Sequence, residues 1–403
     1  MNFAGEKTLL WLMLFGIVAG GVSGYLWGDA MQSVAWLGEL FLTSLKMLIV
    51  PLVAASVITG VAGLGDVRKL GRLGAYSVAY YACTTFIAVS TGLLMANLWQ
   101  PGVGVNLPLD LSAPTPKAGD VGLSDLILSL VHPNIIGAAA EMKLLPIIVF
   151  CIFFAAALST LAEQGKPVIR FFEGLNEAMM TMVEWIMWFA PIGVFALIAS
   201  KLGSAGGGEA FFNQLAGLAK YAAAVISGLL THAVVLSLIL LLLARRSVME
   251  YLSHMGSALM TAFSTASSSA TLPMTLEGVK NAGVDNNARR FVLPLGATIN
   301  MDGTALYEAV AVLFIAQAYG IELGFGQQMV VLLTATMAAI GAAGIPEAGL
   351  VTMVIVLEAV GLPLEGIGLI LAIDWFLDRC RTTINVYGDA VGAAVVGRLV
   401  TPK

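Results

Sequence analysis

The chain has 403 residues, 59% of them hydrophobic and 11% charged, with a formal net charge of −5, whereas soluble domains carry roughly 25% charged residues. That composition excludes an ordinary soluble domain. The apolar runs are too long and too uniform for the alternating strands of a barrel, which leaves an all-α integral membrane protein with its backbone groups satisfied inside helices.

In chain order, residues 9–26, 76–98, 144–161 and 222–244 are among the apolar stretches suited to crossing about 30 Å of hydrocarbon. Glu6 and Lys7 precede the first, and the small-residue-rich run behind them reads as a retained first span rather than a cleaved signal. Pro51, in LIVPLV, predicts a kink in the second span. Tyr80, Tyr81, Thr84 and Thr85 lie within the third. Hydroxyls in such a place often bond only to their own helical turn, and these gain chemical meaning only if the helix meets Asn300 and Asp302. Cys83, Cys151 and Cys380 have neither CxxC nor metal-ligand spacing, and His132, His232 and His254 are too scattered to define a site. The 44 glycines suit close helix packing and helix breaks in a membrane bundle.

Basic residues set orientation. Lys7, Arg68, Lys69 and Arg72, Lys166 and Arg170, Arg245 and Arg246, Arg289 and Arg290, and Arg398 and Lys403 mark successive returns to the cytoplasmic side. The connections 28–34, 101–120 and 203–209 are poor in basic residues and face outward, giving six spans before Arg246 and both termini in the cytoplasm.

Beyond Arg246 the pattern changes. Residues 254–283 comprise an apolar approach, a Ser/Thr cluster at 264–271, Pro273 and a second arm ending near Arg289 and Arg290. Two arms too short to cross, with both ends cytoplasmic, predict a re-entrant hairpin whose tip lies against protein or a wet cavity. The alternative is one poor span with hydroxyls bonded to i−4 carbonyls. Residues 325–363 predict a second hairpin around GAAGIPEAG, 341–349, which carries Glu347. Between them, PLGATINMDGTALYEAV (294–310) contains Thr298, Asn300, Asp302, Thr304 and Glu308, which cannot all face lipid. Asn300 and Gly303 predict local unwinding, releasing carbonyls to join Asn and Asp oxygens around a hard cation.

The last helix carries DWFLDRCRTTINVYGD. At 100° per residue, Asp374, Asp378, Arg381, Asn385 and Asp389 fall within an arc of about 80°. The Arg381 fork suits a carboxylate and Asp378 suits an ammonium group, so a ligand touching both is an acidic amino acid. Asp374 is placed to orient Arg381, and Asp389 to meet a cation. An internal ion-pair ladder is the structural alternative, but it leaves the two hairpins unexplained.

SSSATLP, NMDGTALYEAV, GAAGIPEAGLVTMVIVL and DWFLDRCRTTINVYGD, in that order, resemble the glutamate/aspartate transporter family, the dicarboxylate/amino acid:cation symporters, along nearly the full chain. The resemblance implies eight transmembrane helices and two re-entrant hairpins in a homotrimer, with a scaffold holding an elevator-type transport domain. Residues 1–74 (spans 1–2) and 124–202 (spans 4–5) would form the scaffold. Residues 75–100 (span 3) and 215–403 (span 6, hairpin 1, span 7, hairpin 2 and span 8) would move. It further implies substrate contacts from Ser268, Thr304, Ile345, Gly349, Asp378, Arg381, Thr382 and Asn385. One sodium site would use Gly296, Asn300, Asn385 and Asp389; another Tyr81, Thr84, Thr85, Asn300 and Asp302; a third the backbone at Thr298, Ala339, Ile340 and Ala342. Gly344 and Pro346 would shape the outer gate.

Two features match the animal excitatory carriers rather than archaeal relatives. Ala266 stands where the archaeal proteins place an Arg, with Arg379 supplying that charge from the last helix, and Glu308 replaces an archaeal Gln, implying proton coupling and an influence on potassium counter-transport. Glu347 departs from the animal Gln at the gate. Acidic amino acid, Na+ and membrane lipid are the expected partners, without nucleic acid, and the expected location is the plasma membrane, or the inner membrane of a Gram-negative bacterium. A proton-driven C4-dicarboxylate carrier is the main rival, but its substrate leaves Asp378 without an ammonium partner. An enzyme is disfavoured because no nucleophile and base pair stands apart from this constellation.

Overall fold

A computed structural model describes residues 3–63, 71–105, 128, 130–141, 143–203, 208–341 and 348–400. All regular structure among them is helical. Before Arg246 run α1 (Phe3–Trp27), α2 (Ala35–Ala62), α3 (Gly71–Trp99), the short α4 (Ile135–Ala140), α5 (Leu144–Thr160), α6 (Lys166–Gly203) and α7 (Gly208–Ile239), the last continued by a π turn, Leu240–Ala244. Among them α1, α3, α5 and α7 with its π turn overlie the apolar stretches 9–26, 76–98, 144–161 and 222–244. Trp11–Phe41, Gly71–Trp99, Leu215–Ala244 and Asn286–Ala318 are long and apolar enough to cross a membrane, as is the pair 162–183 and 188–200 taken as one span bent by 54°.

Prolines act locally. Pro51 lies inside α2, whose helix continues through it. Pro191 lies in α6, and a proline ring crowds the carbonyl four residues earlier, here that of Met187, which falls in the bend between 183 and 188.

The second half is interrupted where the sequence predicts. Helix α8 (Val248–Thr265) ends at Ala266, left-handed at φ 51°. Ser267 is extended, and its Oγ accepts from Ala270 N–H at 3.2 Å to cap α9 (Ser268–Asn281). The two helices pack against each other. Thr261, Ser264 and Thr265 also donate to their i−4 carbonyls, so the hydroxyl back-bonding of the single-helix alternative coexists with a break. Helices α10 (Asn286–Ile299) and α11 (Asp302–Ala318) flank the unwound pair Asn300 and Met301. The second helical pair is α12 (Phe325–Gly341) and α13 (Ala348–Ala359), followed by α14 (Ile367–Val400). The tip between them, with Ala342, Gly344, Ile345, Pro346 and Glu347, lies outside the described residues.

Packing divides the helices. α1, α2, α5 and α6 pack chiefly on one another, while α11 is surrounded by α3, α14, α12, α13 and α7 and is buried at every position from Asp302 to Ala316. The two groups meet where α14 touches α6 and where α12 and α13 touch α2 and α5. Small residues allow the closest approaches, as in other membrane bundles: a Cβ on Gly20 of α1 would stand 2.7 Å from the Phe195 carbonyl oxygen of α6. Gly20→Val is therefore expected to push α1 off α6 and cost about 1–3 kcal/mol. Thermal unfolding in detergent measures this, and an unshifted midpoint would contradict the packing.

Candidate ligand and cation site

Asp374, Asp378, Arg381, Asn385 and Asp389 of α14 are all buried and turned toward the core. Arg381 is 1% exposed. Its Nη1 donates to Asp374 Oδ1 at 2.7 Å and its Nε to Asp378 Oδ1 at 2.9 Å. The guanidinium lies 4.2 Å from the Tyr307 ring centroid of α11, a cation–π contact. Gly349 at the start of α13 also stands against the guanidinium, where a Cβ would be 2.9 Å from Cζ. Asp374 thus orients the guanidinium as the sequence suggests. Asp378 also bonds it, so one positive group is held by two carboxylates.

One turn further along α14, Asn385 reaches the broken helix. Its Oδ1 accepts from Gly303 N–H at 2.7 Å, a donor that a continuous helix would direct to Ile299, and its Nδ2 donates to Thr304 Oγ1 at 3.2 Å. Gly303 lies so close to α14 that a Cβ would stand 2.4 Å from the Arg381 carbonyl oxygen. Thr382 is buried on the same helix, and Ser268 is buried in the first turn of α9, which also contacts α14.

Asn300 links Asp389 to the Thr84 hydroxyl. Its Nδ2 donates to Asp389 Oδ1 at 3.0 Å, while its Oδ1 accepts from Thr84 Oγ1 at 3.4 Å. Asp302 Oδ1 accepts from Thr85 Oγ1 at 2.7 Å and lies 3.3 Å from Thr84 Oγ1, for whose single proton it and Asn300 Oδ1 are alternative acceptors. The Thr84 and Thr85 hydroxyls of α3 therefore meet Asn300 and Asp302 instead of bonding only within their own turns, while the Tyr80 hydroxyl donates to the Gly388 carbonyl at 3.0 Å. The Tyr81 hydroxyl diverges from that group. It donates to the Val292 carbonyl at 2.6 Å and lies beside Gly296, where a Cβ would be 2.4 Å from Asp389 Oδ1 and 3.0 Å from the Tyr81 oxygen. Thr298 Oγ1 donates within its own turn to Leu295 O at 3.0 Å. Ala339 is buried and Ile340 half-buried near the end of α12, which contacts α10.

Hydroxyl, amide and carboxylate oxygens suit a hard cation. No three His, Cys, Asp or Glu side chains converge among the described residues.

Two contacts are not evident from sequence, and Arg379, expected to supply charge beside position 266, makes a third. His232 of α7 is fully buried, with Nε2 3.1 Å from Asp302 Oδ2. The only signal in the sequence is a lone imidazole in an apolar helix. Glu308 is fully buried; its Oε1 accepts from Thr352 Oγ1 of α13, while Oε2 has no partner among the described residues. Arg379 Nη1 donates to the Ser264 and Phe263 carbonyls at 3.0 and 3.4 Å, closing the C-terminal end of α8 beside Ala266.

Replacing His232 with Leu leaves Asp302 Oδ2 without that donor. A lost hydrogen bond to a buried charged group predicts a cost of about 1.5–3 kcal/mol, read by thermal unfolding, with His232→Gln retaining more stability than His232→Leu. Equal midpoints for wild type and His232→Leu would remove the contact from the account of stability.

Residues 9–399 match the family model described as the sodium:dicarboxylate symporter family. The chain is 38% identical to an excitatory amino acid transporter of Caenorhabditis elegans, over 98% of this chain and 88% of that protein. It is 40% identical to excitatory amino acid transporter 1 of Ambystoma tigrinum, over 90% of this chain and 76% of the relative. Identity to human excitatory amino acid transporter 3 is 39%, over 91% of this chain and 79% of the relative. A helical bundle with a polar, cation-suited interior and a match across nearly its whole length places this chain in the sodium:dicarboxylate symporter family, among multi-pass membrane transporters rather than enzymes.

Proposed function

We propose that the protein carries aspartate or glutamate with sodium by secondary active transport. The observation that carries this reading is the buried Arg381 between Asp374 and Asp378, with Gly349 against its guanidinium. Arg381 receives the side-chain carboxylate of the substrate. Asp378 releases Nε and accepts the ammonium group, while Asp374 remains to hold the guanidinium. Asn385 receives the α-carboxylate, with Ser268 and Ile345 contributing backbone groups, Thr304 faces the side-chain carboxylate, and Gly349 and Thr382 complete the pocket. A C4-dicarboxylate would leave Asp378 facing another carboxylate.

Sodium ions occupy oxygens around Asp302, Asn300, Thr84, Thr85 and Tyr81, and around Asp389, Asn385, Asn300 and Gly296. A third ion uses backbone at Thr298, Ala339, Ile340 and Ala342. Cation binding offsets the buried negative charge and orders the unwound pair before substrate enters. Neither cation nor substrate alone satisfies every buried group, which supplies the coupling. Glu308, buried without a cationic partner within ion-pair distance among the described residues, carries a proton in the loaded state.

The moving body comprises 75–100 and 215–403, and the scaffold 1–74 and 124–202, with eight spans, two re-entrant hairpins and both termini cytoplasmic. The division of packing between α1, α2, α5, α6 and the helices around α11 supports that assignment. Three copies assemble in the plasma membrane, with the moving body sliding against the scaffold as an elevator. Enclosing a charge-compensated core lowers the cost of its passage through hydrocarbon.

In proteoliposomes with separately imposed sodium, proton and potassium gradients, a sodium gradient is expected to drive uptake of aspartate or glutamate and not of succinate. Arg381→Ala should reduce acidic amino acid uptake at least about 100-fold, as expected for truncating one partner of a buried charge pair; comparable uptake would reject the clamp. Glu308→Gln should flatten the pH dependence of net uptake while sodium-dependent substrate binding persists. An unchanged pH profile would assign the proton elsewhere.

A further inference from the structure

We propose that a cavity of about 510 Å³ at the arginine-marked end of α7, α10 and α14 binds the phosphate of an anionic phospholipid headgroup. The inference goes beyond the transport reading and uses none of its residues. Arg245, Arg246 and Arg398 line the cavity together with Gly283 and Asp285. The chain reaches it through the π turn Leu240–Ala244, after which Arg245 is left-handed at φ 52°; Gly283, on the opposite wall, is left-handed at φ 74°.

The walls are tied by the arginines. Arg246 donates through Nη1 to the Ala282 carbonyl and through Nη2 to that of Gly283 at 2.8 Å, joining α7 to the α9–α10 turn. Arg398 Nη1 donates to the Ala244 carbonyl at 3.0 Å, joining α14 to the π turn. A guanidinium has five N–H donors, so both retain donors beyond these bonds. Arg245 is exposed and makes no side-chain hydrogen bond among the described residues. Asp285 is the acidic member, but its Oδ2 accepts from the Asn287 and Ala288 N–H groups at 2.9 and 3.1 Å, turning its charge to the start of α10. Three arginines against one engaged carboxylate leave a positive cavity for a phosphate.

The neighbouring surface identifies the source of that phosphate. Leu241, Leu242 and Leu243, immediately before the cavity, are 48%, 68% and 51% exposed. Arginines adjoining exposed leucines suit a molecule with an anionic head and alkyl chains, and basic residues at the cytoplasmic ends of spans attract anionic lipid. A free phosphate would use the cavity and leave the leucine face unmatched.

The test titrates the delipidated full-length protein with phosphatidylglycerol or phosphatidylcholine and follows bound lipid by native mass spectrometry. Phosphatidylglycerol should be preferred, with Arg245→Gln weakening its binding about fivefold and Arg245→Lys largely restoring it, the scale of one basic residue near an anionic surface. Phosphatidylcholine binding and uptake in vesicles of that lipid alone should not change. Equal phosphatidylglycerol binding by wild type and Arg245→Gln would overturn the site. Displacement of the lipid by inorganic phosphate at equal concentration would overturn the lipid assignment in favour of a soluble anion. Because Arg246 and Arg398 hold the walls, Arg245 is the position where altered binding can be separated from altered folding.

Discussion

A guanidinium almost wholly withdrawn from water is the constraint around which the polar core is arranged. Arg381 can remain there only if its charge and donors are met, and Asp374 and Asp378 meet them from the same helix. Tyr307 supplies a ring face, and Gly349 and Gly303 supply the absence of side chains. Two carboxylates around one cation leave this part of the core negative before Asp302, Asp389 and Glu308 are considered. Such a deficit suits a cargo that brings positive charge, whereas an ion-pair ladder that only joins helices has no need of one.

The unwound stretch makes the carboxylates interdependent. Asn385 takes the Gly303 N–H, while Asn300 touches Asp389 with one end of its amide and the Thr84–Asp302 group with the other. A cation that turned the Asn300 amide would disturb both partners. A substrate that engaged Asn385 would bear on the same backbone. Coupling can therefore act over short distances through groups with alternative hydrogen bonds, without a long pathway across the protein.

Much of this was legible because charge in an apolar helix is rare. The angular spacing of Asp374, Asp378, Arg381, Asn385 and Asp389 places them on one face, and Asn300 with Gly303 marks the unwinding. The Ala266–Ser267 break follows from polar residues between short apolar arms. The partners were less legible because they come from helices far away in the chain. One histidine in α7 does not announce its contact with Asp302, nor does Thr352 announce its contact with Glu308. Tyr81 has the expected neighbourhood, but its long side chain carries the hydroxyl past Asp302 to the Val292 carbonyl. Spacing locates a side chain on a helix; its reach and the helix packed opposite decide the contact.

Arg379 and Arg381 extend the same logic to the two interrupted segments. Two residues on a helix are separated by about 200° around its axis, so these guanidinia project in nearly opposite directions. Arg379 reaches the terminal carbonyls of α8, where partial negative charge gathers at a helix C-terminus. Arg381 lies against Gly349 at the start of α13. A charge supplied from α14 rather than from position 266 leaves that residue small and left-handed at the break. It also sets one helix against both helical pairs, through Arg379 bonded to the end of α8 and Arg381 packed on the start of α13.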